Sequence, residues 1–267
     1  MKVIYSFKKF NHHYKPLDDV FYKVAAASVA SASKFYKTKM YCDSQSAALF
    51  QEKKIQFDEL VILDSINNYT GKLYSIPKIL AMIEESEPYI HLDLDALIFE
   101  KIYSPHTITY AYKEVELKNN SKTNQIDYLN KYYVNPYNNF LKDILPDINP
   151  SWSTIPNHSF VMVKSPQLVK TIYQDLLNKI PYDILENISP MLIEQFLLYQ
   201  TLKNNKVDIG WVSEFPTEDI TSTLMGSFKL FHFQFYYETD RKFEIDSILD
   251  LLTNIYDINI NLNPRLF

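Results

Sequence analysis

Tyr89-Ile90-His91-Leu92-Asp93-Leu94-Asp95-Ala96-Leu97-Ile98-Phe99 is the stretch on which the reading of this chain turns. Ile90, Leu92, Leu94, Ala96 and Ile98 alternate as the apolar face of a strand, and His91, Asp93 and Asp95 fall on the opposite face. Carboxylates two residues apart on a strand share a side, with Cα atoms roughly 6–7 Å apart. Burying them unpaired costs several kcal/mol, on the order of the penalty for any uncompensated charge, so a cation is expected between them. Hard divalent ions take carboxylate oxygens and are the natural candidates. The plainer alternative is a strand end whose acids face water. The very apolar strand that delivers the pair argues for a site.

The sequence on either side of this stretch has the rhythm of an α/β protein. Lys2 to Phe7 predicts a first strand, and Asp18 to Tyr36 a helix capped by Asp18, its Ala/Ser-rich positions 25–33 suited to close packing on a sheet. Lys39 to Asp43 predicts a second strand, and Ser44 to Lys54 a helix with Ser44 as its cap. Phe57 to Leu63, continuously apolar from Leu60 to Leu63, predicts a buried parallel strand. A further helix opens near Ser75 and Pro77, faces the core with Ile79, Leu80 and Ile83, and ends at Pro88, directly before the acidic strand. Strand and helix alternate throughout, which predicts a mostly parallel, Rossmann-type sheet flanked by helices in one domain over 1–267.

After Glu100 the rhythm loosens. Thr107 to Tyr112, Phe160 to Val163, Val207 to Val212 and Phe228 to Phe235 are expected as strands, the last with His232 at its middle. Gln167 to Asn178, Met191 to Asn204 and Ile245 to Tyr256 are expected as helices. Residues 114–150, rich in Asn, Tyr, Lys and Pro, have little periodicity and read as a long irregular segment; with Trp152 they offer an aromatic surface for a sugar ring. His12 and His13 read as a solvent-facing loop, and Lys78 as a surface lysine unless it reaches a bound anion at the sheet edge.

Composition removes several classes of function. The chain has 267 residues, is 46% hydrophobic and 22% charged, and carries a net charge of −5 without any Lys/Arg run, so nucleic acid is not an expected partner. Cys42 is the single cysteine, which excludes an internal disulfide and suits a reducing compartment. No apolar run reaches membrane-spanning length, and none after Met1 has that of a secretory leader. The expected location is cytoplasmic, with room for peripheral membrane association. Three glycines in the whole chain leave no Gly-rich phosphate loop, so a bound nucleotide has to be held by other means.

The segment from Lys78 to Phe99 resembles the DxD region of GT-A-fold nucleotide-sugar glycosyltransferases, most of all the bacterial capsular and lipopolysaccharide-type transferases related to the family 8 galactosyltransferases. Three further segments agree in order and approximate spacing. Pro156-Asn157-His158-Ser159-Phe160-Val161 is similar to the family's Asn-x-Gly-aliphatic strand, Glu194-Gln195 looks like its acidic-Gln helix, and Phe231-His232-Phe233 resembles its C-terminal metal-ligand histidine. The resemblance implies a GT-A-like fold whose residues 1–112 bind the nucleotide sugar, while 113–267 bind the acceptor and contribute the metal-ligand strand. It implies a divalent ion, Mn²⁺ or Mg²⁺, held by Asp93, Asp95 and His232, with Asp93 also touching the donor's ribose. Lys78 would hold the diphosphate of a UDP-linked donor, Tyr5 and Ser6 would lie near the base, and Asn157 would touch a sugar. Gln195, with Glu194 beside it, would sit beneath the anomeric carbon. The acceptor would be a glycan, a lipid or a protein, and retention of configuration follows from the family 8 likeness alone.

The sequence departs from the family at two places. Ser159 stands where a Gly is usual, which would narrow the sugar pocket. Gln234-Phe235-Tyr236-Tyr237 replaces the usual Gly and Lys-Pro after the histidine, leaving Arg241 or Lys242 as substitutes for the missing lysine. A haloacid-dehalogenase-type phosphatase also uses Asp-x-Asp after an apolar strand, the first Asp as nucleophile. That motif usually lies on the first strand and is followed by a Lys and an Asp-Asp pair, whereas the pair here, Asp18-Asp19, lies upstream. A third reading is a nucleotide-sugar-binding protein without turnover.

Overall fold

The computed structural model describes residues 1–10, 18–116, 129–148, 154–185, 187–213, 229–232 and 242–258. The strands in chain order are β1 (Lys2–Phe7), β2 (Lys37–Cys42), β3 (Glu59–Ile62), β4 (Tyr89–Leu92), β5 (Ala96–Ile98), β6 (Ile108–Tyr110), β7 (Lys113–Glu116), β8 (Thr154–Pro156), β9 (Phe160–Val163), β10 (Ile209–Trp211) and β11 (Leu230–His232). The helices are α1 (Asp19–Ser33), α2 (Ser44–Glu52), α3 (Asp64–Asn67), α4 (Ser75–Glu84), α5 (Asn130–Val134 with Tyr137–Leu141), α6 (Pro166–Lys179), α7 (Tyr182–Leu185), α8 (Leu192–Leu197 continuing as Leu198–Asn204) and α9 (Lys242–Ile255).

Seven strands form the central sheet in the order β10-β6-β9-β4-β1-β2-β3. β1 pairs parallel with both β2 and β4, β2 with β3, and β10 with β6, while β9 runs antiparallel to β4 and β6. The expected mostly parallel sheet flanked by helices is the architecture found. Alternation along each strand divides its side chains between two cores: Val3, Tyr5, Ile90, Leu92, Phe160 and Met162 pack towards α1 and α2, and Ile4, Tyr89, Val161 and Val163 towards α4, α6 and α8. From β1 the chain moves outwards to β2 and β3, then returns to place β4 on the other side of β1. This reversal opens a crevice at the carboxyl ends of β1 and β4, where open α/β sheets bind ligands.

Several expectations need correction. Tyr89 to Phe99 is not one strand: β4 ends at Leu92, the Ala96 amide closes a turn onto the Asp93 carbonyl (3.0 Å), and β5 leaves the central sheet to pair antiparallel with β11. All four residues of β4 are buried, because helices cover both faces of its sheet; His91 is therefore interior. β3 is the edge strand and not a buried one, and its Ile62 is half-exposed. Helix α2 is capped by Asp43, whose carboxylate accepts from the Ser46 amide at 3.0 Å, instead of by Ser44. Within 114–150, β7 and helix α5 replace the expected irregular chain; residues 117–128 and 149–150 lie outside the described residues, as do Trp152, His12 and His13. Helix α1 begins as the sequence indicates, with Asp18 Oδ1 accepting from the Phe21 amide at 2.9 Å.

Candidate functional site

The turn after β4 is held from two sides, by the start of β9 and by α1. The Asp93 amide donates to the Ser159 carbonyl at the start of β9 (2.8 Å), which ties the acidic turn to the neighbouring strand. From α1, Ser28 Oγ donates to the Ala96 carbonyl at 2.5 Å and Ser31 Oγ accepts from the Ile98 amide at 3.1 Å. Both serines are fully buried, so each backbone group they meet is one that water cannot satisfy. The Ala/Ser-rich stretch of α1 thus brings the helix close to the sheet and also fixes the turn with its hydroxyls. The composition predicted the packing but carried no signal for the hydroxyl contacts.

Asp93, Asp95 and His232 converge at this turn. One ligand atom from each lies within 4.8 Å of the other two. His232 is delivered by the β5–β11 ladder, in which it stands opposite Ala96, and its Nε2 is 3.4 Å from Asp95 Oδ1. His232 and Asp95 are buried, whereas the Asp93 side chain remains 29% exposed and opens the group to solvent.

Lys78 is not a surface lysine. It projects from the first turn of α4 into the interior, with its Nζ 2.7 Å from Asp93 Oδ1, ion-paired with Glu194 on α8, and donating to the His158 carbonyl at 3.0 Å. Those three acceptors match the three donors of an ammonium. Burial alone would lower the Lys78 pKa, but Asp93 and Glu194 more than offset it and hold the group protonated. Glu194 is pushed above the usual carboxylate range by burial, and the Asp93 charge adds to this while Lys78 opposes it: two carboxylates compete for one buried ammonium.

Two neutral imidazoles line the same interior. His91 Nε2 is 2.9 Å from Ser6 Oγ, a bond that ties the carboxyl end of β1 to its sheet neighbour β4. His158 stacks on Tyr110 with centroids 4.6 Å apart. Burial, followed by the nearby Lys78 charge, holds both histidines well below the ordinary imidazole range.

Gln195 is buried next to Glu194, with its Oε1 accepting from Tyr133 OH of α5 at 2.5 Å. Both helices are wide at this point: the amides of Asn135, Lys142 and Leu198 donate to carbonyls five residues back, at Asn130, Tyr137 and Ile193. Such widened turns recur at functional sites because they push side chains off the regular helical face. Sequence reasoning missed Tyr133, since the Asn/Tyr-rich segment has no periodicity to single it out. Asn157 is buried with Oδ1 taking the Ser159 amide at 2.9 Å, a local turn that shapes the entry to β9. Tyr5 is fully buried beneath α1, edge-on to Phe57, with its hydroxyl 3.4 Å from Ser28 Oγ. Phe233 to Arg241 fall outside the described residues, and Lys242, which opens α9, is described in its backbone alone, so the expected gap in basic contacts is not placed.

Among the described residues, the site therefore gathers Asp93, Asp95, Glu194, Lys78 and His232. With three carboxylates and one ammonium it is poised to accept a further cation. The donor set suits a hard divalent ion: two carboxylates and an imidazole, close enough to share one centre once their side chains adjust. No helix among the described residues is long and apolar enough to cross a membrane.

A sequence model described as "Family of unknown function (DUF6734)" matches residues 1–143, more than half of the chain. The match includes Lys78, Asp93 and Asp95. No curated protein matches the sequence. Among solved structures, the chain is similar to apo mouse xyloside xylosyltransferase 1 (TM-score 0.45, 11% identity, 88% of this chain and 98% of that one). It is similar also to the inositol-1-phosphate CTP transferase from T. maritima (TM-score 0.43, 10% identity, 79% and 84%). A third likeness is to the apo form of the glycosyltransferase GlyE of Streptococcus pneumoniae TIGR4 (TM-score 0.45, 9% identity, 98% and 65%). These likenesses are too distant to transfer a substrate or a residue role.

Proposed function

We propose that this protein, which belongs to the DUF6734 family of unknown function, is a metal-dependent glycosyltransferase that moves a sugar from a nucleoside diphosphate sugar to a glycan, lipid or protein acceptor. The observation that carries the reading is the convergence of Asp93, Asp95 and His232, with ligand atoms within 4.8 Å of one another, at the carboxyl end of β4 beside the crevice. The Asp-x-Asp turn and the late histidine agree with the motif order that the sequence shares with DxD-type transferases.

In this reading Asp93, Asp95 and His232 hold the divalent ion, with the imidazole favouring Mn²⁺ over Mg²⁺. When bound, the ion neutralises the charge that develops on a departing nucleoside diphosphate. Lys78 supplies the positive charge in place of a Gly-rich loop, turning from Asp93 towards the diphosphate. Ser6 and His91 lie beneath the crevice at the carboxyl ends of β1 and β4, and Tyr5 supports it from below. Gln195 presents its amide to the sugar's reacting carbon. Tyr133 fixes the amide's rotation by donating to Oε1, so no orientation has to be found during the reaction. Glu194 holds Lys78 in place and, being more basic than an ordinary carboxylate, can accept a hydrogen bond from a sugar hydroxyl. Asn157 shapes the entry to β9 on the sugar's side.

A thermal-shift panel of nucleotides and nucleotide sugars, with and without Mn²⁺, tests this. A UDP- or GDP-type ligand should raise the melting temperature only when the divalent ion is present, by the ordinary linkage of binding to folding. Stabilisation by phosphate or a beryllofluoride adduct alone would overturn the proposal in favour of a phosphatase.

A further inference from the structure

We propose that Lys78 is the resident cation of the ligand-free site, and that the site therefore takes up a divalent ion as its chelate with a diphosphate and not as the free ion. The inference rests on the metal–diphosphate reading above.

Asp93 is claimed twice. It is one of the three residues whose ligand atoms converge with those of Asp95 and His232, and its Oδ1 is also 2.7 Å from Lys78 Nζ. An ion placed among the three side chains would share Asp93 with an ammonium only a few ångströms away. Repulsion between a double and a single positive charge at that range is strong in a partly buried site, where water screens little. Lys78 cannot swing away freely, because Glu194 and the His158 carbonyl hold its other donors and every bond it gives up must be replaced. A bare cation brings no replacement. A diphosphate does: its oxygens can accept from Lys78, and its negative charge offsets that of the incoming ion. Lys78 can then leave Asp93 to the metal while keeping a full set of acceptors.

The alternative is that Lys78 only balances the charge of a buried acidic cluster. Net charge separates the two, because removing Lys78 and Glu194 together frees Asp93 without changing the total charge of the site.

Mn²⁺ binding is measured from the electron paramagnetic resonance signal of the free ion. The wild type, Glu194→Gln and the double variant Lys78→Gln/Glu194→Gln are each titrated alone, with UDP and with inorganic pyrophosphate. The wild type should bind Mn²⁺ weakly alone and about tenfold or more tighter with either diphosphate. The double variant should bind Mn²⁺ alone about tenfold tighter than the wild type and lose most of its dependence on diphosphate. Glu194→Gln by itself should bind Mn²⁺ alone more weakly, because Lys78 is then left to Asp93. An unchanged or weaker affinity in the double variant, or an unchanged or tighter one in Glu194→Gln, overturns the role of Lys78 even if the wild type takes Mn²⁺ with UDP. A wild type that binds no Mn²⁺ under any of these conditions overturns the reading of the site itself.

Discussion

His232 Nε2 lies 3.4 Å from Asp95 Oδ1, across a short antiparallel ladder in which His232 stands opposite Ala96. The register of β5 and β11 makes this contact. Moving His232 one residue along its strand would send the imidazole to the other face of the ribbon and away from the acidic turn.

Replacing Asp95 with Ala, or His232 with Ala, should therefore remove Mn²⁺-dependent turnover of a nucleotide sugar by more than about 100-fold, above the loss usual for residues that merely support a ligand. The same variants should lose the Mn²⁺-dependent part of the thermal shift given by UDP. Steady-state hydrolysis assays and melting curves check both; a variant that keeps its metal-dependent shift would remove that residue from the ligand set.

A second buried ion cluster, at the amino ends of β1 and β4, sets a pH dependence. Glu85 accepts from Tyr41 OH at 2.6 Å and lies 3.1 Å from Lys2 Nζ and 3.4 Å from Lys39 Nζ. Burial alone would raise its pKa, but the Tyr41 hydrogen bond and the two lysines prevail and hold it below the ordinary carboxylate value. A folded pKa below the unfolded one means that the contribution is complete above the ordinary glutamate value of about 4.3 and is lost as pH falls through the folded value. Glu85→Gln should cost about 3 kcal/mol at neutral pH, the scale for breaking a buried pair, and the gap from wild type should begin to narrow as pH falls below about 4.3 and go on narrowing down to the folded value. Urea denaturation at a series of pH values measures it; a gap that does not change with pH contradicts the assignment.

Cys42 is buried at the end of β2, where burial, and then the charge of Asp43, push its thiol up to about 12. At pH 8 the thiolate is then about a thousandfold scarcer than for a thiol titrating at 9, and a disulfide reagent should label the native protein correspondingly slowly. Full labelling is expected only in denaturant, which makes this residue a probe of global opening. Rapid stoichiometric labelling of the native protein would refute the buried placement.

Gly210 in the edge strand β10 has no room for a side chain: a Cβ there would come within 2.0 Å of the His106 ring. His106 is itself held by Asp208, with Nδ1 2.9 Å from Oδ1. Gly210→Ala should destabilise by about 1–3 kcal/mol through overpacking. Adding His106→Ala should restore most of the loss, giving a coupling of more than about 0.5 kcal/mol in a double-mutant cycle. Additive effects would show that the two residues do not meet.

The sequence was most legible where local chemistry and periodicity agree. The Asp18 cap, the apolar alternation of β1 and β9 and the strand–helix rhythm up to β4 are each local decisions, and each appears within a few residues of its expected position. Legibility failed where the outcome depends on a distant partner. The run Leu60 to Leu63 has the composition of a central strand, yet its place in the sheet is settled by which neighbours pair with it, and it became an edge. Lys78, on the first turn of a helix, has nothing in its local sequence to distinguish it from a solvated lysine. Only Asp93 and Glu194, brought from other elements, make its burial tolerable.

The acidic stretch itself shows the division most clearly. Its residues alone determined that two carboxylates would lie close together at the end of an apolar stretch, because a single intervening residue is too short to separate them in any fold. Tertiary structure decided that the strand would break after Leu92, since Ser28 and Ser31 of α1 satisfy the Ala96 carbonyl and the Ile98 amide once the chain has left the central sheet. It also decided which partners the acids receive, Lys78 from α4 and His232 from β11, because charges taken out of water must be matched by whatever the fold brings within reach.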